Sequence, residues 1–220
     1  MKEIVMDRGN LLLVHGAWHG AWCWDLLVPE LEARGWTPSV VDLPSASGSP
    51  AAGVREDAEV VREAIAALTG RVTVLAHSYA GVPVGEAAQA ADRLVYLAAH
   101  LLEPGESVVS PLGGPWYEPG TTLLDVPEPA RDLLFADLPD DLASWAAGRL
   151  RPQSARSFED QVTAAAWQTV STTSIVCADD VAFPAPFADR LRAHGALVLP
   201  GSHSPFLARP AHLAELITAG

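Results

Sequence analysis

Arg71-Val-Thr-Val-Leu-Ala-His-Ser-Tyr-Ala-Gly81 is the stretch whose reading decides the fold. An apolar run without alternation suits a strand buried on both faces. It turns at Ser78, and small residues lead onward to Pro83. Proline in a first helical turn removes no helical bond, so the run out of the turn reads as a helix. Strand, sharp turn and helix with Ser78 at the apex is a nucleophile elbow. Ala76 and Ala80 flank it, and small residues are required there because strand and helix approach closely. A helix beginning at Tyr79 aims its positive end at the Ser78 oxygen.

Working outward, Val- and Leu-rich runs recur at residues 11–15, 39–43, 71–77, 94–99, 173–177 and 196–199. Helical patterns lie between them. Val54, Ala58, Val61, Ile65 and Leu68 share one face of a helix that stops at Gly70. Residues 186–194 and 210–219 read as two more helices. Strand–helix alternation with short connections predicts an α/β fold: a mostly parallel sheet of about six strands covered by helices on both faces. One domain over residues 1–220 fits this length. Residues 101–168 break the alternation with eight prolines and no evident strand. Pieces at 140–150 and 158–167 look helical, and Trp116, Tyr117, Phe135, Trp145, Phe158 and Trp167 predict a packed, mostly helical lid.

The composition excludes several function classes. Lys plus Arg number 14 against 27 Asp plus Glu, a formal net charge of −13. Such a surface repels phosphate backbones and anionic lipid, so neither nucleic acid nor membrane is an expected partner. The first apolar run, Leu11-Leu-Leu-Val14, is too short for a leader or a membrane span. The expectation is a cytoplasmic protein with reduced thiols. Two cysteines, Cys23 and Cys177, make neither a disulfide framework nor a structural zinc site. Both sit among apolar neighbours and read as buried, inert thiols.

A serine nucleophile needs an oxyanion hole, a base and an acid. In Val14-His-Gly-Ala-Trp-His-Gly-Ala-Trp22 the loop after the first strand offers the N–H of Ala17 as one oxyanion donor. Tyr79, following the nucleophile, offers the other. The His15 side chain reads as structural, and Trp22 and Trp24 as core. His19 is a candidate to point into the cleft. On this architecture the acid and then the base follow the serine in the chain. Of the late histidines, His194 and His212 fall on expected helices. His203, in Leu199-Pro-Gly-Ser-His-Ser-Pro205, sits in the loop after the last strand and can return to the elbow. In Ser174-Ile-Val-Cys-Ala-Asp-Asp-Val-Ala-Phe-Pro184 two carboxylates stand beyond a buried strand. One can orient the histidine and the other can form a turn; the residues alone leave Asp179 and Asp180 open.

These segments together resemble the α/β-hydrolase superfamily. They are most similar to its subgroup of plant methylesterases, hydroxynitrile lyases and small bacterial esterases. The carrying residues are residues 14–22, His77-Ser-Tyr-Ala-Gly81, Cys177-Ala-Asp-Asp-Val-Ala-Phe-Pro184 and Gly201-Ser-His-Ser-Pro205; Leu150-Arg-Pro-Gln-Ser154 resembles bacterial members. In this subgroup the acid stands four residues before the proline, which implies Asp180. Ala76 and Ala80 depart from the family's glycines. The resemblance also implies that a lyase would carry Thr where Gly16 stands and Lys where Ser204 stands.

The expected activity is hydrolysis of a carboxylic ester of a small apolar molecule through an acyl-enzyme on Ser78. His203 is the expected base, Asp180 the acid, and the N–H groups of Ala17 and Tyr79 the oxyanion donors. No metal or organic cofactor is expected. His19, Trp116, Phe183 and Phe206 are the candidate substrate contacts. The alternatives are a lyase, cyclase or decarboxylase using His203 as base, or a non-catalytic ligand-binding member.

Overall fold

The structure is a computed structural model and describes residues 8–219. The N-terminal positions before Arg8, read above for a leader, lie outside the described residues. In chain order the elements are β1 (Gly9–Val14), α1 (Leu27–Glu32), β2 (Trp36–Val41), α2 (Val54–Ala67), β3 (Val72–His77), α3 (Gly81–Ala87) and β4 (Arg93–Leu97). The insertion that follows holds β5 (Leu123–Leu124), α4 (Ala130–Leu134), α5 (Asp140–Ala147), β6 (Gln153–Ser154) and α6 (Arg156–Glu159). The chain closes with β7 (Ser171–Cys177), α7 (Ala185–Ala193), β8 (Leu197–Leu199), α8 (Pro205–Ala208) and α9 (Pro210–Ala219).

Six strands form one sheet in the order β2-β1-β3-β4-β7-β8, and every neighbouring pair is parallel. All six expected strands are present. β3 is buried at every position, as its unbroken apolar run requires. β2 begins three residues before its expected start because Trp36, Thr37 and Pro38 pair with Gly9, Asn10 and Leu11. Pro38 is tolerated since β2 is an edge strand. Beyond β2 the Leu43 N–H leaves the ladder and donates to His15 Nε2 at 3.0 Å.

The strand order places the site. From β1 the chain moves outward to β2, then returns past β1 to β3 and continues to the other edge. The order reverses between β1 and β3, and a crevice opens at the carboxyl ends of strands at such a switch point. The carboxyl ends of β1, β3, β4, β7 and β8 lead to Ala17, Ser78, His100, Asp180 and His203 in turn.

The elbow depends on one close approach. A Cβ on Gly81 would lie 2.3 Å from the His100 carbonyl oxygen and 2.8 Å from its nitrogen. Both are backbone atoms, so only glycine lets α3 start against the segment that follows β4. Ala76 and Ala80 are fully enclosed, so a single methyl is accommodated at each family-glycine position.

The insertion departs from expectation in three places. It is not mostly helical: α4, α5 and α6 are only five, eight and four residues long, and turns and coil make up most of the rest, as its prolines dictate. Residues 158–167 are not one helix: α6 ends at Glu159, and a single 3-10 turn forms at Ala166–Gln168. Competing bonds hold the intervening chain out of a helix. Val162 N–H donates to Glu106 O at 2.9 Å, and Gly105 N–H donates to Val162 O at 2.8 Å. The Glu86 carboxylate accepts from Thr163 and Ala164 N–H at 2.7 and 3.0 Å. A strand pair also appears, with Leu123–Leu124 antiparallel to Gln153–Ser154; two residues a side leave no pattern to read.

Candidate active site

Ser78 follows β3 with φ of 54°, a left-handed conformation rare for a residue with a side chain. Trp18 and Ala98 share that trait, at 63° and 42°. Among the described residues other than glycine these three alone do so, and all follow strands at the crevice; backbone strain gathers at functional sites. The strain lifts the Ser78 side chain to the surface of a cavity of about 360 Å³, beside Ala17, Tyr79, His100 and His203.

Gly16 is dictated by this elbow. A Cβ there would lie 2.9 Å from Ser78 Cβ and 2.8 Å from His77 Nδ1. The loop carrying Ala17 therefore packs directly on the serine, and Ala17 and Tyr79 both line the cavity.

His203 Nδ1 donates to Asp180 Oδ2 at 2.7 Å. Both side chains are nearly enclosed, at 4% and 6% exposure, so the pair is little screened. Asp180 Oδ1 accepts the N–H groups of Ala182 and Phe183 at 2.9 and 3.0 Å. Burial alone would raise this carboxyl; the His203 charge and hydrogen bond, with the two N–H groups, outweigh it and hold it below the usual range. Asp180 is thus ionised at neutral pH. It fixes the His203 tautomer with the proton on Nδ1 and leaves the Nε2 lone pair free to take a proton.

Asp179 does a different job. Its Oδ2 accepts the Gly201 N–H at 3.2 Å, and its own N–H donates to Gly201 O at 3.0 Å. Asp137 accepts both the hydroxyl and the N–H of Ser202, the latter at 3.2 Å. His77 Nε2 donates to His203 O at 3.0 Å. The loop bearing His203 is therefore pinned on three sides.

The remaining cavity wall is apolar. Trp116 and Phe183 lie on it as expected from sequence. His19 and Phe206 do not, which corrects the expectation for both. His19 is 1% exposed: its Nδ1 donates back to Ala17 O at 2.8 Å, and its ring stacks on Trp22 at 5.6 Å. Phe206 is fully enclosed, 4.8 Å from both the Trp24 and His77 rings. They form the floor under the elbow. Trp18, Phe158, Leu133 and His100 line the cavity without having been singled out as contacts. For His100 a signal existed: it lies just past a central parallel strand, at the carboxyl edge. His15 is structural as read, with Nδ1 donating to Gly16 O at 2.9 Å.

Burial controls the thiols and three of the histidines. It raises both thiols, with nearby aspartates adding to the effect, and leaves Cys23 and Cys177 as buried free thiols. It lowers His19 and His100 to about 3 and His77 well below its ordinary value. These three are neutral when folded and gain a proton near pH 6.5 when unfolded. Below pH 6.5 the unfolded chain then binds more protons, so stability falls with acidification, by up to about 1.4 kcal/mol per pH unit for each histidine. His100→Phe, set among Phe183 and Phe187, is expected to flatten this slope by about one such increment. Urea unfolding between pH 7 and 5 measures it; an unchanged slope would contradict the buried, neutral assignment.

Among the described residues, no group of three or more His, Cys, Asp or Glu is arranged to hold a metal ion. No described helix is long and apolar enough to cross a membrane.

The chain matches the alpha/beta hydrolase family over residues 11–216. It is 27% identical to an alpha/beta hydrolase of Aspergillus novofumigatus, over 96% of each chain. It is 29% identical to a pFDCC methylesterase of Arabidopsis thaliana, over 69% of this chain and 68% of that one. Against a pyrethroid hydrolase of Sphingobium wenxiniae the identity is 27%, over 96% and 87%. A crystal structure of an Arabidopsis methylesterase superposes with a TM-score of 0.78 at 25% identity, covering 96% and 97%.

Proposed function

Since the chain belongs to the alpha/beta hydrolase family, we propose that it hydrolyses carboxylic esters of small apolar molecules through an acyl-enzyme on Ser78. The observation that carries this reading is the convergence on one cavity of a strained serine and a histidine whose Nδ1 is held 2.7 Å from a buried carboxylate. His203 Nε2 takes the Ser78 proton as Oγ attacks the ester carbonyl. The N–H groups of Ala17 and Tyr79 receive the negative charge that develops on the carbonyl oxygen. The protonated imidazole, stabilised by Asp180, gives its proton to the leaving alcohol. In the second half His203 draws a proton from water, which attacks the acyl carbonyl and frees Ser78. The lining of Trp18, Trp116, Phe158 and Phe183 favours an apolar or aromatic ester.

The relatives named as a methylesterase and a pyrethroid hydrolase support ester chemistry. Two residues weigh against cyanohydrin cleavage. At Gly16 even a Cβ would crowd Ser78. Ser204, where the lyases carry Lys, is fully buried and is absent from the cavity wall, so no cation stands there to hold a leaving anion. The purified protein is expected to hydrolyse short aryl and alkyl esters and to leave cyanohydrins intact. Both assays run on one preparation; cyanohydrin cleavage without esterase activity would overturn the reading.

A further inference from the structure

Asp57, Ser45, Gln153, Ser154 and Ser157 are each fully enclosed, come from α2, the loop after β2 and the insertion, and are joined by hydrogen bonds. Tyr79 Oη donates to Asp57 Oδ2 at 2.7 Å. The Ser45 hydroxyl donates to the same oxygen, and Ser45 N–H donates to Asp57 Oδ1 at 3.0 Å. Gln153 Nε2 donates to Ser45 Oγ at 2.8 Å and to Ser157 Oγ at 2.7 Å. Ser157 Oγ donates to Ser154 O at 2.6 Å. Gln153 Oε1 accepts the backbone N–H of Trp18 at 3.2 Å.

The directions of these bonds are determined by elimination. A backbone N–H can only donate, so the Gln153 oxygen faces Trp18 and its amide protons face the two serines. Ser45, accepting from Gln153, must donate to Asp57. Tyr79 donates as well, so the carboxylate accepts three bonds and every member is satisfied. Burying a carboxylate is costly, and a half-satisfied network is worse than an apolar core. Burial does push the Asp57 carboxyl up, opposed by the bonds from Ser45 and Tyr79.

The two ends of the network are the two oxyanion segments. Tyr79 carries one donor N–H, and Trp18 directly follows Ala17, which carries the other. Trp18 is held further to the insertion: Arg151 N–H donates to Trp18 O at 2.9 Å, and the Phe158 ring packs on both Trp18 and Tyr79, at 5.7 and 5.6 Å. We propose that Gln153 and Asp57 are positioning residues that align the Ala17 and Tyr79 N–H groups, making the covering insertion and the oxyanion hole one unit. The proposal rests on the serine-hydrolase reading above. Its physical basis is that oxyanion donors act only when aimed before the charge develops, and displacements near 1 Å are enough to cost rate.

The test compares Gln153→Met, Tyr79→Phe, their double variant and Asp57→Asn with the wild type on a chromogenic aryl ester. Gln153→Met and Tyr79→Phe are each expected to lower kcat roughly 10- to 100-fold, with KM and the midpoint of the pH profile unchanged because His203 and Asp180 are untouched. The double variant should be hardly worse than either single, since the groups act as a unit. In Asp57→Asn the side-chain oxygen stays on the Ser45 N–H, so its amide N–H groups face Tyr79 Oη and Ser45 Oγ and both hydroxyls lose their acceptor; kcat should fall as in the other single variants. Tyr79→Phe removes one hydroxyl, so it keeps the test open if Gln153→Met does not fold. Folded variants with wild-type kcat, a loss confined to KM, or losses that multiply would overturn the proposal. A wild type that neither hydrolyses esters nor reacts with a fluorophosphonate would instead overturn the serine-hydrolase reading, and this proposal with it.

Discussion

Ser78→Ala is expected to lower ester turnover on the order of 10³-fold or more while leaving the protein folded. The hydroxyl is the only group at the apex that can form the acyl bond, and its partial exposure to the cavity means that its removal opens no void in the core. Ala76 and Ala80 show that the elbow accommodates a lone methyl. Residual activity should come from the oxyanion donors and substrate binding. Steady-state kinetics with thermal melting measures both halves; a folded Ala variant with near wild-type turnover would remove the covalent mechanism.

The adjacent aspartates should separate by orders of magnitude. In Asp180→Asn the side-chain oxygen can still accept the N–H groups of Ala182 and Phe183. Its amide then faces His203 Nδ1, where a proton already sits. The imidazole must move that proton to Nε2, and the lone pair needed by Ser78 is lost. The expected cost is on the order of 10²–10⁴ in kcat with little change in fold. Asp179→Asn keeps an acceptor for Gly201 N–H in an exposed loop. It should leave kcat within about twofold and cost at most roughly 0.5–2 kcal/mol of stability. The reverse ranking would assign the acid to Asp179.

Much of this was legible because the informative features are local. Continuous apolar runs mark fully buried strands wherever the sheet is covered, so β3 and its elbow could be read directly. The start of the edge strand β2 leaves no such run, because burial there is partial and its first residues are fixed by pairing with β1. Residues 158–167 carry a helical pattern that bonds from Glu86 and Glu106 override. The choice among cavity residues failed for a related reason. Sequence places His19 and His100 both just beyond strand ends, but only the fold decides that His19 turns back on Ala17 O while His100 faces the cavity. The Asp57–Gln153 network was illegible, because its members come from α2, the elbow, the loop after β2 and the insertion, with no shared spacing.

The most direct test of the account is to locate the covalent bond. The wild type, Ser78→Ala and Asp180→Asn proteins are treated with a fluorophosphonate and digested, and the peptides are mapped by mass spectrometry. The account predicts one adduct on Ser78 in the wild type, much slower labelling in Asp180→Asn and none in Ser78→Ala. An ester-hydrolysing wild type with Ser78 unmodified, or an adduct on another residue, would contradict it.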